Sequence, residues 1–195
     1  MVDKLNLKII LGSTRQGRLS DKVGAWIADE AAKRDDVNVE LLDLRDYPMP
    51  FFDEAETPNY KSKPYTEPNV MKWTAKIKEG DAFVVIAPEY NHGYPAVLKN
   101  ALDYIGPEWH DKSIGFVSYG SALGARSVEQ LREVAVELQM APIRFAVHMS
   151  YEVPGAVAKG TPASEAFAPF VEKAKGMLEQ LVVWGKALKA TRSAS

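Results

Sequence analysis

Five short apolar runs alternate with helical stripes along the chain, and this alternation restricts the fold more than any other feature. The runs cover residues 5–11, 37–42, 81–87, 113–119 and 143–148. The first and third are almost continuously apolar, as expected of strands covered on both faces. The second alternates, with Val37, Val39 and Leu41 on one side, and so reads as a peripheral strand. Helical stripes lie between the runs. They are Leu19, Val23, Trp26 and Ile27; Val70, Trp73, Thr74 and Ile77; Val97, Leu98, Ala101, Leu102 and Ile105; and Val128, Leu131, Ala135 and Leu138. A last stripe runs from Phe167 to Val182. Strands alternating with helices call for a parallel sheet with helices on both faces.

The 195 residues suffice for one sizeable domain, expected over residues 1–189, with residues 190–195 expected as a disordered tail. A formal net charge of -2 argues against a nucleic-acid partner, which would call for a basic excess, and against a strongly charged electron shuttle. The chain has no cysteine, which removes disulfides, thiol catalysis and zinc-thiolate sites. Any redox chemistry must therefore come from a bound cofactor. No apolar stretch is long enough for a bilayer and no signal-peptide pattern is evident, so a cytoplasmic location is expected. Residues 46–68 carry Pro48, Pro50, Pro58, Pro64 and Pro68 among aromatic side chains. That segment is too apolar for a plain linker and is expected to wrap the domain or meet a second subunit.

Two loops carry the chemistry. The first strand ends in Gly12-Ser13-Thr14-Arg15-Gln16-Gly17-Arg18-Leu19-Ser20 and a helix follows. Free backbone N–H groups and the helix dipole make such a junction an anion site. Ser13, Thr14 and Ser20 add hydroxyls, and Arg15 and Arg18 add charge that can fork onto phosphate oxygens. A P-loop would need Lys and Ser or Thr after Gly17, where Arg18 and Leu19 stand, and the dinucleotide fingerprint lacks its second glycine. A terminal monophosphate fits the loop better. The third strand ends in Pro88-Glu89-Tyr90-Asn91-His92-Gly93-Tyr94-Pro95, rich in planar and polar groups. The first and third strands bracket the switch point of a flavodoxin-like sheet, where ligands bind outside the strands' carboxyl ends.

These loops, with Pro95-Ala96, Leu98-Lys99-Asn100-Ala101-Leu102-Asp103, and Asp43-Leu44 before Pro48 and Pro50, resemble the NADPH-dependent FMN reductase family over roughly residues 7–138. The resemblance implies a flavodoxin-like three-layer α/β sandwich, with a five-stranded parallel sheet in the order 2-1-3-4-5. It implies bound FMN, with NADPH or NADH as donor and a small acceptor such as a quinone, azo compound, metal oxyanion or free flavin. Ser13, Arg15 and Ser20, with Thr14 beside them and Arg18 assisting, would hold the FMN phosphate. Pro88, Glu89, Tyr90 and Asn91 would line the ring system, largely through backbone groups. Ser118, Gly120 and Ser121, in the loop after strand four, would flank the ring's pyrimidine side. Gly120 suits a close backbone approach, and Ser121 suits the N-cap of the next helix. Family members form homodimers or homotetramers, and Trp109, Tyr94 and residues 46–68 are expected at that contact.

No catalytic side chain and no metal ligand are assigned. His92, His110 and His148 are scattered, and Glu89 is expected to orient its loop rather than act as a base. Gly120-Ser121-Ala122-Leu123-Gly124 is not the serine-hydrolase elbow. A flavodoxin-like electron carrier and a flavin-free binding module are the competing readings. The mild charge weighs against the carrier, and the intact Ser13, Arg15 and Asn91 weigh against the module.

Overall fold

A computed structural model describes residues 4–61 and 64–194. Five strands, β1 (Leu5–Leu11), β2 (Val37–Asp43), β3 (Ala82–Pro88), β4 (Ser113–Gly120) and β5 (Ala141–Ser150), form one parallel sheet ordered β2-β1-β3-β4-β5. The fold is therefore flavodoxin-like, as expected. β3 and β4 are buried at every residue, whereas β2, an edge strand, exposes Leu41. β5 is the other edge and tolerates Pro142 there, next to an irregularity in its register with β4.

Helices cover both faces. α1 (Ser20–Ala32) and α7 (Val171–Ala194) bury Val23, Ile27, Leu178 and Leu181 against Leu7, Ile9, Val84 and Ile86. α2 (Pro68–Glu79), α3 (Ala96–Asp103) and α4 (Ala125–Glu137) bury Trp73, Leu98 and Leu131 against Ile10, Phe83 and Val85. Two short helices, α5 (Glu152–Ala158) and α6 (Ala163–Ala166), separate β5 from α7 and were not anticipated; Pro162 and Pro169 break the periodicity there. No helix among the described residues is long and apolar enough to cross a membrane.

Three expectations change. Trp109 does not lie at an open edge: it is fully buried, packs edge-on against Trp73 and Phe83, and donates its Nε1–H to the Leu102 carbonyl at 3.3 Å. It can take no part in a subunit contact. Residues 190–194, expected to be disordered, continue α7, because Lys189 and Arg192 pair with Asp81 at 3.1 and 2.9 Å and tie the helix to the far end of the sheet; Ser195 lies outside the described residues. Within residues 46–68, Tyr47 packs on Trp73 and Phe52 on Tyr104, and Asn100 clamps the segment at residues 50 and 52. Its Nδ2 donates to the Pro50 carbonyl at 2.7 Å while its Oδ1 accepts from Phe52 N at 2.9 Å. The segment thus wraps the domain in part, yet Phe51 stays 78% exposed.

Candidate flavin-nucleotide site

The register of β1 on β3 sets Leu11 beside Ile86, so the two chemical loops leave the sheet side by side. Gly12 makes this junction possible. Its N–H donates to the Ile86 carbonyl at 3.0 Å, and a Cβ there would sit 2.7 Å from that oxygen and 2.9 Å from Leu98 Cδ2. Gly17, at φ +65°, turns the loop back toward α1. Between the loops lies a cleft of about 310 Å³, at the lower end of small-molecule pockets. One wall carries Arg15, Arg18 and Leu19, and the other Pro88, Glu89 and Tyr90. Tyr119, Gly120, Ser121 and Tyr151 close it.

The two arginines of the first loop have different employment. Arg18 is buried and forks onto Asp43, with Nη1 2.7 Å from Oδ1 and Nη2 on Oδ2; its Nε donates to Asp21 at 2.7 Å and Nη1 also reaches the Ser13 carbonyl. Asp43 raises the Arg18 pKa further, and Arg18 holds Asp43 below the usual carboxylate range against the opposing effect of burial. Its charge is thus already matched, and Arg18 ties the loop to β2 and α1 from the cleft wall. Arg15 is exposed, and no carboxylate pairs with it among the described residues. Its guanidinium lies 5.8 Å from the Tyr90 ring centroid, across the cleft mouth. Arg45, which the sequence reading passed over, donates to the Thr14 and Arg15 carbonyls at 3.4 and 2.6 Å and stiffens the same loop.

The second loop is a closed turn. Tyr90 N donates to Gly93 O at 2.8 Å, and Gly93 N returns to Tyr90 O at 3.0 Å. Asn91 and His92 between them adopt φ of 50° and 71°, the left-handed geometry of a two-residue hairpin, which asparagine tolerates better than most residues. α4 secures it from below. Ser127 Oγ reaches the carbonyls of Pro88 and Gly93 at 3.0 and 2.8 Å, and Gln130 Nε2 donates to His92 O at 3.1 Å. The Glu89 carboxylate takes Arg126 Nη1 at 2.8 Å and Arg126 N at 3.3 Å. It therefore orients the loop, as expected, and is spent on that task.

The remaining expected residues divide. Ser13 and Ser20 are buried and do not line the cleft themselves; Ser13 Oγ lies 2.8 Å from the hydroxyl of Tyr90, which does. Thr14 faces a neighbouring hollow with Arg45 and Tyr47. Asn91 shapes the turn and does not line the cleft. Ser118 also stays out of it: its Oγ lies 3.1 Å from the Leu123 carbonyl and 2.8 Å from His148 Nδ1, holding the loop from behind. Gly120 earns its place by proximity, because a Cβ there would meet Glu89 Cβ at 2.9 Å. Ser121 lines the cleft but is not an N-cap. α4 begins four residues later behind Gly124, at φ +76°, whose Cβ would strike Ser118 at 2.5 Å. Leu19, Arg126, Ser127, Gln130 and Tyr151 were missed. Arg126, Ser127 and Gln130 act through contacts distant in sequence that no local motif marks, whereas Leu19 and Tyr151 line the cleft.

Two buried hydroxyls, Ser20 Oγ and Tyr119 Oη, have no partner at normal hydrogen-bond geometry among the described residues, although each lies close enough to influence the other. A phosphorylated ligand suits such a place. A parallel sheet whose first and third strands end in an anion-ready loop and a rigid flat platform defines a flavodoxin-like nucleotide-binding protein.

The chain belongs to the NADPH-dependent FMN reductase family, whose model matches residues 5–153. That family comprises oxidoreductases that use FMN and NAD(P)H. Relatives include an NAD(P)H-dependent FMN reductase of Schizosaccharomyces pombe, 38% identical over 132 residues, spanning 68% of this chain and 66% of that protein. A quinone reductase of Escherichia coli is 29% identical over 144 residues, 71% of this chain and 73% of that protein. Among solved structures, the flavoenzyme NAD(P)H:(acceptor) oxidoreductase FerB of Paracoccus denitrificans superposes with a TM-score of 0.71 at 20% identity, covering 94% of this chain and 98% of that one.

Proposed function

We propose that this chain binds FMN in the cleft between the two loops and catalyses transfer of hydride equivalents from a nicotinamide nucleotide to a small acceptor, of the quinone, azo, metal-oxyanion or free-flavin type. The observation that carries the reading is the exposed Arg15 guanidinium, with no carboxylate partner among the described residues, 5.8 Å from the Tyr90 ring of the rigid second loop. FMN, when bound, supplies the hydride-accepting and hydride-donating chemistry. The chain's residues do the rest. Arg15 and the hydroxyls of Ser13 and Ser20 hold the phosphate at the N-terminus of α1. Backbone groups of residues 88–90 present a fixed surface to the ring, and Asn91 holds the turn that follows. Glu89, Arg126 and Ser127 keep that surface in place, and the aromatic walls restrict water. No side chain is required as a proton donor in the hydride step.

The test is Arg15→Ala. Loss of one charge-assisted contact predicts FMN affinity down by about tenfold or more with the fold intact. Unchanged FMN affinity, measured by quenching of flavin fluorescence, would refute the phosphate assignment. The chain is also proposed to form a homodimer or homotetramer. Support comes from Phe51 and Tyr60, 78% and 84% exposed on the segment that wraps α3.

A further inference from the structure

His148 stands on β5 in register with Ser118 of β4, and β4 runs on into Tyr119, Gly120 and the following Ser121, which close the cleft. The His148 Nδ1 atom lies 2.8 Å from Ser118 Oγ, which in turn donates to the Leu123 carbonyl at 3.1 Å. That carbonyl also acts on His148 directly.

The carbonyl belongs to a residue that needs holding. Leu123 adopts φ +59°, and Gly124 follows at +76°. A left-handed leucine is disfavoured by its Cβ. Its side chain is 48% exposed, so packing returns little for the strain. Two polar contacts fix it instead. Its N–H donates to the Gly120 carbonyl at 3.1 Å, and its own carbonyl takes the Ser118 hydroxyl. Residues 120–124 are thereby held with Gly124 against Ser118, Gly120 against Glu89 and Ser121 on the cleft.

Proton accounting gives His148 its role. Ser118 Oγ has one proton to donate. With the imidazole proton on Nε2, Nδ1 and the Leu123 carbonyl would compete for that single donor. With it on Nδ1, the ring donates to Ser118 Oγ, the serine proton goes to Leu123, and all three groups are served. The ring thus decides which way the serine hydroxyl points.

We infer that His148 is a positioning residue for the flavin ring: acting through Ser118, it holds the strained loop of residues 120–124 against the cleft. The inference rests on the FMN reading. It concerns the ring end of the ligand and is indifferent to the phosphate.

The test uses the flavin-stripped full chain at pH 8, where His148 is neutral. FMN and riboflavin affinities are read by fluorescence quenching, at a temperature where circular dichroism shows each variant fully folded. His148→Ala removes the donor and should weaken both flavins about fivefold. His148→Asn returns an amide N–H near the position of Nδ1 and should stay within about twofold of wild type. Ser118→Ala, a smaller change that stands in should His148→Ala not fold, should weaken both flavins equally, and the double variant should lose no more than either alone. Wild-type affinity in the alanine variants, a loss confined to FMN, failure of asparagine to rescue, or additive losses in the double variant would overturn the assignment and leave the FMN reading standing. Failure of the wild-type chain to bind FMN would overturn both.

Discussion

Replacing Arg18 by methionine separates architecture from ligand binding within one loop. The aliphatic stem is kept and the guanidinium is lost. Three acceptors then lose the guanidinium: the Asp43 carboxylate, which keeps the Arg45 N–H at 2.9 Å, the Asp21 carboxylate and the Ser13 carbonyl. Breaking a fully buried pair costs about 3–5 kcal/mol. Here the Arg18 side chain is 2% exposed but Asp43 is 25% and Asp21 44% exposed, so the stranded carboxylates recover part of their hydration. The expected loss is therefore about 2–3 kcal/mol, or about 4–12 °C in Tm for a chain of this length. Urea unfolding followed by tryptophan fluorescence reads it directly. Adding Asp43→Asn to Arg18→Met should restore part of the loss, because the stranded charge is the larger share of the cost. Arg15→Ala, three residues earlier, should leave the urea midpoint where it is. A midpoint for Arg18→Met within about 0.5 kcal/mol of wild type would refute the assignment of Arg18 to the loop's framework.

The remaining predictions concern pH and assembly. His148 is held below its ordinary pKa, first by burial and then by Arg132 on α4 and Lys173 on α7, while the Leu123 carbonyl opposes the shift. The unfolded chain therefore binds the proton first as pH falls below about 6.5, so stability should drop from there toward the lower native value. His148→Asn should flatten that part of the curve and run parallel to wild type above it, and an unaltered slope in the variant would exclude His148 as its source. Sedimentation of the wild-type chain should give a dimer or tetramer, and Phe51→Glu should shift it toward monomer; a monomeric wild type at micromolar concentration would defeat the proposed oligomer.

The fold was legible because burial on both faces forces nearly continuous apolar strands, and β1 and β3 advertise it. The strand order came with the family resemblance that the two loops carry, and the sheet has it. Side-chain roles were less visible. Arg15 and Arg18 look equivalent as letters, and what distinguishes them is Asp43, 25 residues beyond Arg18 on another strand. Ser127 and Arg126 support the platform across gaps of more than 30 residues, and nothing local marks them. Trp109 was misplaced because its loop position hid a ring that fills the core between Trp73 and Phe83. The last turns of α7 were misread because their small and polar residues favour fraying, whereas Asp81, more than 100 residues away, anchors them.

The turn at Asn91 and His92 has a thermodynamic consequence for whatever lies on it. Its ends bond to each other, and α4 fastens it through Ser127 and Gln130. Its shape therefore exists before any ligand arrives. Ordering a loose loop on association costs about 0.5–1.5 kcal/mol for each side chain fixed. Here folding has already met that cost, in the left-handed backbone of two residues that are not glycine. The strain is borne by the stability of the domain, and contact with the flat surface is left to act as affinity.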